Sequence, residues 1–253
     1  MSGGDAVLIV VAMFVSGFLN AVAGGGSLVS FPALVATGLP SLTANVTNTL
    51  ALWPGYLGGA ASLSGNLERG VHLRQLCAAA AVGAVMGSVA LLVVDPDLFD
   101  AVVPFLVLMA AGLLAVPSSW VARLRPPEDA ESSRARPLRP VTLVAVGLGG
   151  VYGAYFGGAL GVILLAVLNA LVGGDLRSIN ATKSVLSLLT NTVALVAFVG
   201  FAPVAWSAVA VGAPASLAGG LVGGWGATRV DPTWLRRGII AYATVAGLVM
   251  LVT

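Results

Sequence analysis

Apolar positions along this chain fall in long unbroken runs, not at the alternating spacing of half-buried strands or the three-and-four spacing of amphipathic surface helices. Residues 76–94, 100–116 and 185–201 are nearly free of charge, and each is close to the length a helix needs to cross ~30 Å of hydrocarbon. They are predicted membrane spans. Polar residues collect between such runs in short loops and in one long hydrophilic segment, 119–140, rich in Pro, Arg and acidic residues. That segment reads as an extramembrane linker between a first transmembrane repeat, 1–118, and a second, 141–253.

The two halves carry the same pattern at a spacing of about 135 residues. Gly17, Gly24 and Gly25 return as Gly150, Gly157 and Gly158; Asn45-Val46-Thr47-Asn48 returns as Asn180-Ala181-Thr182-Lys183. Gly83 and Gly87 return as Gly219 and Gly223, and Asp95-Pro96 as Asp231-Pro232. Basic residues then set orientation. Arg69 with Arg74, the linker arginines (Arg123, Arg125, Arg134, Arg136, Arg139), Arg177, and Arg229 with Arg236 and Arg237 mark four cytoplasmic segments by the positive-inside rule. The basic-free N-terminus and loops 38–42, 95–100 and 201–206 go outside. Counting crossings, 5–37 begins and ends outside, and 141–172 begins and ends inside, so each must enter and turn back as a hairpin of short or broken helices. The predicted fold is all-α: a polytopic transmembrane helix bundle of two inverted repeats, each a broken-helix hairpin plus three spanning helices. Both termini are expected outside and the linker in the cytoplasm.

Composition agrees: 58% hydrophobic and 9% charged residues exclude an ordinary soluble domain. The N-terminal apolar run lacks a basic flank and a small-residue cleavage site and is read as part of the mature chain. A net charge of +2, carried by loop arginines, gives no reason to expect nucleic acid. The single cysteine, Cys77, excludes an internal disulfide and a thiolate metal cluster, and reads as a small buried packing residue. The single histidine, His72, reads as a solvated loop residue.

Candidate chemistry lies at the glycine-rich hairpin tips, Gly24-Gly25-Gly26-Ser27 and Gly157-Gly158, and in the polar run that opens the following span. Unwound backbone within a membrane is tolerated where protein or water satisfies it. A helix restarting there aims amides and a positive dipole end at a cavity. The alternative is that these glycines only permit close packing, the reading preferred for Gly83, Gly87, Gly219 and Gly223. Asn45, Thr47, Asn48 and Thr49 occupy the first polar run; Asn180, Thr182, Lys183, Ser184, Ser187 and Asn191 occupy the second. Lys183, the only lysine, could neutralise an anion or, six residues beyond Arg177, snorkel to the interface. No Asp, Glu or His falls in mid-span. That argues against a carboxylate proton relay or carboxylate sodium site, for an anionic cargo, and against hydrolysis at Ser27 or Ser64, which lack a general base.

The stretch Gly17-Phe18-Leu19-Asn20-Ala21-Val22-Ala23-Gly24-Gly25-Gly26-Ser27-Leu28-Val29-Ser30-Phe31-Pro32-Ala33-Leu34 resembles the sulfite exporter TauE/SafE family of bacterial permeases. So do Ala44-Asn45-Val46-Thr47-Asn48-Thr49, Pro54-Gly55-Tyr56-Leu57-Gly58, Tyr152-Gly153-Ala154-Tyr155-Phe156-Gly157 and Asn180-Ala181-Thr182-Lys183. The resemblance implies transport of sulfite, sulfonates or related small sulfur anions across the inner membrane.

The reading is an alternating-access permease for a small anion in the lipid bilayer, without metal, cofactor or catalytic residues; a homodimer stays open. The anion is expected among Gly24, Gly25, Gly26, Ser27, Asn45, Asn48, Gly157, Gly158, Asn180 and Lys183, with Asn20, Thr47, Thr49, Thr182 and Asn191 in second rank. An anion channel is the alternative, and a membrane enzyme or accessory subunit a more distant one.

Overall fold

A computed structural model describes residues 1–22, 24–67, 71–116, 138–172, 174–226 and 232–252. Most of the linker, Arg69, Arg229 and Asp231 therefore lie outside the described residues, as does Ala23 at the first hairpin tip. The described residues form α-helices joined by short turns, with no strand among them. The first half holds α1 (Gly3–Val22), α2 (Ser27–Ala36), α3 (Ser41–Leu63), α4 (Val71–Val93) and α5 (Pro96–Ala115). The second holds α6 (Pro140–Tyr155), α7 (Leu160–Leu171), α8 (Leu176–Phe201), α9 (Trp206–Gly226) and α10 (Pro232–Val252). Six of them, α1, α4, α5, α8, α9 and α10, are long and apolar enough to cross a membrane.

Local chemistry sets the helix boundaries. Asp95 caps α5 by accepting from the Asp97 amide at 2.9 Å, with Pro96 in the first turn, and Asp175 caps α8 through the Arg177 amide at 3.2 Å. The hairpins are unequal. The entering leg α1 is 20 residues long, enough for a full span, whereas its return leg α2 has 10; in the second hairpin α6 has 16 and α7 has 12. Two expectations for single residues need correction. His72 sits in the first turn of α4, not in a loop, because α4 starts earlier than its apolar run, and Cys77 on that helix is only half-buried.

The halves interlock by exchange: α1 packs along α9, and its counterpart α6 packs along α4. Glycines make both seams. A methyl group at Gly219 or Gly223 would collide with the carbonyl of Phe14 or Phe18 on α1, and one at Gly17 with that of Ser216 on α9. The counterpart positions repeat the geometry: Gly83 and Gly87 against the carbonyls of Gly147 and Val151, and Gly150 against that of Ala80. Backbones this close exchange dispersion contacts that bulky side chains would prevent. The preferred packing role of Gly83, Gly87, Gly219 and Gly223 is thus what the structure has. Helices α3 and α8 cross near the middle, where the Trp53 indole donates to Thr192 Oγ1 at 2.8 Å.

Large apolar side chains face outward, among them Val82, Val85, Met86, Phe105, Val245 and Val249. Exposed Trp206 and Trp225 bracket α9; their 19-residue separation is about 28 Å of helix. Tryptophans at that spacing match the two interfaces of a bilayer.

Candidate functional site

The two hairpin tips meet. Gly24, at φ +81°, is packed so closely on Gly161 that an added Cβ would lie 2.9 Å from its backbone; Gly157, at φ +77°, faces the Ser27 hydroxyl. Only glycine takes both the left-handed backbone and the missing side chain without strain. At each tip the chain leaves its helix by the same bond: Gly24 N–H donates to Leu19 O at 2.8 Å, and Gly157 N–H to Tyr152 O at 3.3 Å.

Helix α2 restarts after the first tip with much of its amide capacity already used. Gly26 N–H donates to Asn20 Oδ1 at 2.8 Å, Leu28 N–H to Gly25 O, and Val29 and Ser30 N–H to Gly26 O. Gly26 is further fixed by the Ser16 hydroxyl on its carbonyl, at 2.8 Å. The bare amide cradle expected of the tips is therefore mostly closed at α2.

Lys183 turns inward beside this tip. Its side chain is 1% exposed, its Cδ would be 3.6 Å from a Cβ on Gly161, and its ammonium donates to Asn20 O at 3.0 Å. The head turns into the protein, so snorkelling to the interface is excluded. The Asn20 carbonyl ends α1, where the helix dipole is negative, and is without its usual amide because Gly24 N–H goes to Leu19 O. One of the three ammonium donors is thus occupied and two remain. Beside it lies a cavity of about 10 Å³ lined by Asn20, Ala21, Gly55, Tyr56, Gly59, Lys183, Ser184 and Ser187, roughly room for one water. Asn20 Nδ2 and Ser187 Oγ are buried without partners. The Tyr56 hydroxyl faces Ser27, Asn191 and Asn20.

The other expected residues are distributed differently. Asn45 Nδ2 donates to Tyr155 O at 2.9 Å, at the end of α6 and not at the cavity. Gly55 and Gly59 of α3 reach the cavity, and Asn45 lies ten residues before Gly55, about 15 Å along the helix. Asn48 accompanies Asn45, one turn on, its Oδ1 unpartnered. Asn180 Oδ1 is also buried without a partner, one turn before Lys183. Thr47 accepts from the Ala205 amide at 3.0 Å, Thr49 donates to Asn45 O, and Asn191 donates to Ser187 O. Thr182 is half-buried, and neither it nor Gly25 or Gly158 lines the cavity. Gly158 is packed on the Phe156 ring and Gly25 on Leu114. So Asn20 and Lys183 converge as expected, while Asn45 and Asn48 occupy a separate polar nest. Tyr56, Gly55 and Gly59 were not expected at the site. Ser184 and Ser187 share the polar face with Lys183, and their spacing was the available signal. Among the described residues no three His, Cys, Asp or Glu gather as metal ligands.

Comparison with known proteins agrees with this architecture. The chain is 30% identical over 200 residues to the Probable membrane transporter protein ORF9 of a Sinorhizobium species, covering 78% of this chain and 73% of that protein. It is 30% identical over 196 residues to a Probable membrane transporter protein of Haemophilus influenzae, covering 76% and 73%. Against the Probable membrane transporter protein YfcA of Escherichia coli K12 the identity is 29% over 204 residues, covering 79% and 72%. No solved structure matches significantly. The match to the family described as Sulfite exporter TauE/SafE runs over residues 9–250, nearly the whole chain, and the protein belongs to that family of membrane transporters.

Proposed function

We propose that this transporter moves a small anion, of the sulfite or organosulfonate class, across the cytoplasmic membrane by alternating access, and that the anion binds around Lys183. The observation that carries this reading is a buried ammonium facing a cavity that no acid lines. Among the described residues Lys183 is the one fully buried charged side chain, and Asp95, Asp97, Asp100 and Asp175 are exposed. A charge at a helix centre costs about 2.5–3.5 kcal/mol on insertion scales, and one neutral carbonyl offsets only part of that. An oxyanion would balance the charge and engage the two remaining ammonium donors, Asn20 Nδ2, and the hydroxyls of Ser187 and Tyr56, while the Ser184 hydroxyl already donates to Asn180 O at 2.9 Å. The arrangement suits an acceptor-rich ligand with negative charge.

The cavity, with room for about one water, is too small for sulfite with its four heavy atoms. Binding therefore requires the site to open, which suits a carrier better than a permanently open channel. The helices lining the cavity belong to both halves and cross antiparallel: Trp53 meets Thr192, while Gly59 shares the cavity with Lys183. Two repeats inserted in opposite directions, with both termini outside and the linker cytoplasmic, fit that crossing and the exchanged glycine seams.

Purified protein in proteoliposomes should show saturable sulfite flux that is stimulated by sulfite on the opposite side, and Lys183→Ala should reduce it at least tenfold without loss of folded protein. Equal flux in the variant would remove Lys183 from the mechanism. Flux without counterflow would make the protein a channel.

A further inference from the structure

The two hairpins differ at one equivalent position. In the first, the carbonyl that loses its amide at the tip is Asn20 O, and the Lys183 ammonium donates to it. Its counterpart in the second hairpin is Gly153 O. There Phe156 and Gly157 N–H both go to Tyr152 O, so Gly153 O receives no amide from the next turn, and no backbone amide is bonded to Ala154 O either. Both residues are buried. The counterpart of Lys183 in the first repeat is Asn48, which brings no positive charge. Its Oδ1 is buried and unpartnered, the side chain 2% exposed; Asn45, one turn earlier on the same face, is 1% exposed with its Oδ1 also unpartnered. The Asn45 amide nitrogen on Tyr155 O ties this face of α3 to the end of α6. The nest thus offers two unpartnered amide oxygens, Asn45 Oδ1 and Asn48 Oδ1, on the face of α3 that is tied to the negative end of α6.

We propose that this second nest binds a desolvated alkali cation, sodium or potassium, through Asn48 Oδ1, Asn45 Oδ1 and the free carbonyls at the end of α6, doing for the second hairpin what the Lys183 ammonium does for the first. Neutral oxygen donors at a half-helix C-terminus suit a monovalent ion, whereas a divalent ion would call for carboxylates, and none of the named groups is one. The inference rests on the equivalence of the two hairpins and not on the identity of the transported anion. A cation bound 10–15 Å along α3 from the Lys183 cavity would be a candidate coupling ion for anion movement.

The test is thermal unfolding of the detergent-purified full chain, without sulfite, in sodium, potassium or choline chloride at equal ionic strength. Sodium or potassium should raise Tm by about 5 °C over choline at saturation, and Asn48→Ala and Asn45→Ala should lose that rise. Asn48→Lys, which installs an ammonium at the nest, should make Tm insensitive to the ion. Equal Tm of the wild type in all three salts overturns the proposal, as does an ion-specific rise that survives in Asn48→Ala and Asn48→Lys. If those variants do not fold, binding of radioactive sodium to the wild type, displaced by sodium or potassium but not choline, decides the same question, and undetectable displaceable binding of either ion overturns it. Loss of sulfite flux in Lys183→Ala is a separate readout, so either reading can fail alone.

Discussion

The ends of α1 and α6 are built alike and completed differently. Each releases a glycine amide to the carbonyl five residues back, Gly24 to Leu19 and Gly157 to Tyr152, and each leaves the next carbonyl in need of a donor. At α1 that donor is a charged side chain from the other half, Lys183; at α6 the facing helix offers Asn45 Nδ2 to Tyr155 O, beside the unpartnered Oδ1 atoms of Asn45 and Asn48. Duplicated backbone geometry and divergent side chains thus give one nest that holds a charged ammonium and another that holds neutral amides. The difference teaches that the repeat conserves the turn, while chemical polarity resides in the helix that crosses behind it.

The sharpest way to break the comparison is to exchange the charge. Lys183→Asn makes the first nest resemble the second, and sulfite flux should fall about 100-fold or more, since a charge-assisted contact and the one fully buried cation among the described residues are lost together. Adding a methyl group at the tips should separate them next. Gly24→Ala and Gly157→Ala share the cost of a left-handed backbone, about 1 kcal/mol, but only Gly24→Ala drives a Cβ against the Gly161 backbone at 2.9 Å. It should lower stability by about 3 kcal/mol in total, read as a Tm drop at least twice that of Gly157→Ala. Ser187→Ala removes one hydroxyl from the cavity and should weaken sulfite binding about three- to tenfold by titration, leaving Tm nearly unchanged. Trp53→Phe deletes the indole bond to Thr192 at the crossing of the halves; at about 0.6 kcal/mol for an interhelical bond in a membrane, a Tm shift of 1–2 °C is expected.

Much of the fold was legible. Apolar runs give the spans, and the glycine and asparagine anchors give the repeat, because helix length and close backbone approach leave a direct mark on residue type. The glycine seams of α1 with α9 and α4 with α6 could not be paired in that way, since partner choice across the exchange is a matter of three-dimensional topology. The candidate site was legible in part for the same reason. The matching motifs of Asn48 and Lys183 suggest one shared site, yet each equivalent residue lies on the helix that faces a different tip, so the pair divides between the two nests. Tyr56 was missed because a tyrosine beside Pro54 and Gly55 in an apolar helix looks like packing; only the antiparallel crossing turns it toward Asn20 and Asn191.

Arg236, near the start of α10, donates through Nε to Leu114 O and through a terminal nitrogen to Val116 O, at the close of α5. A guanidinium reaches only a few ångströms, so these two helix termini share one depth in the bilayer. The chain leaving α5 and the chain arriving at α10 must then emerge on a common face. Whatever impermeant reagent reaches a cysteine placed at Val116 from one compartment should reach one placed at Arg237 from that compartment too.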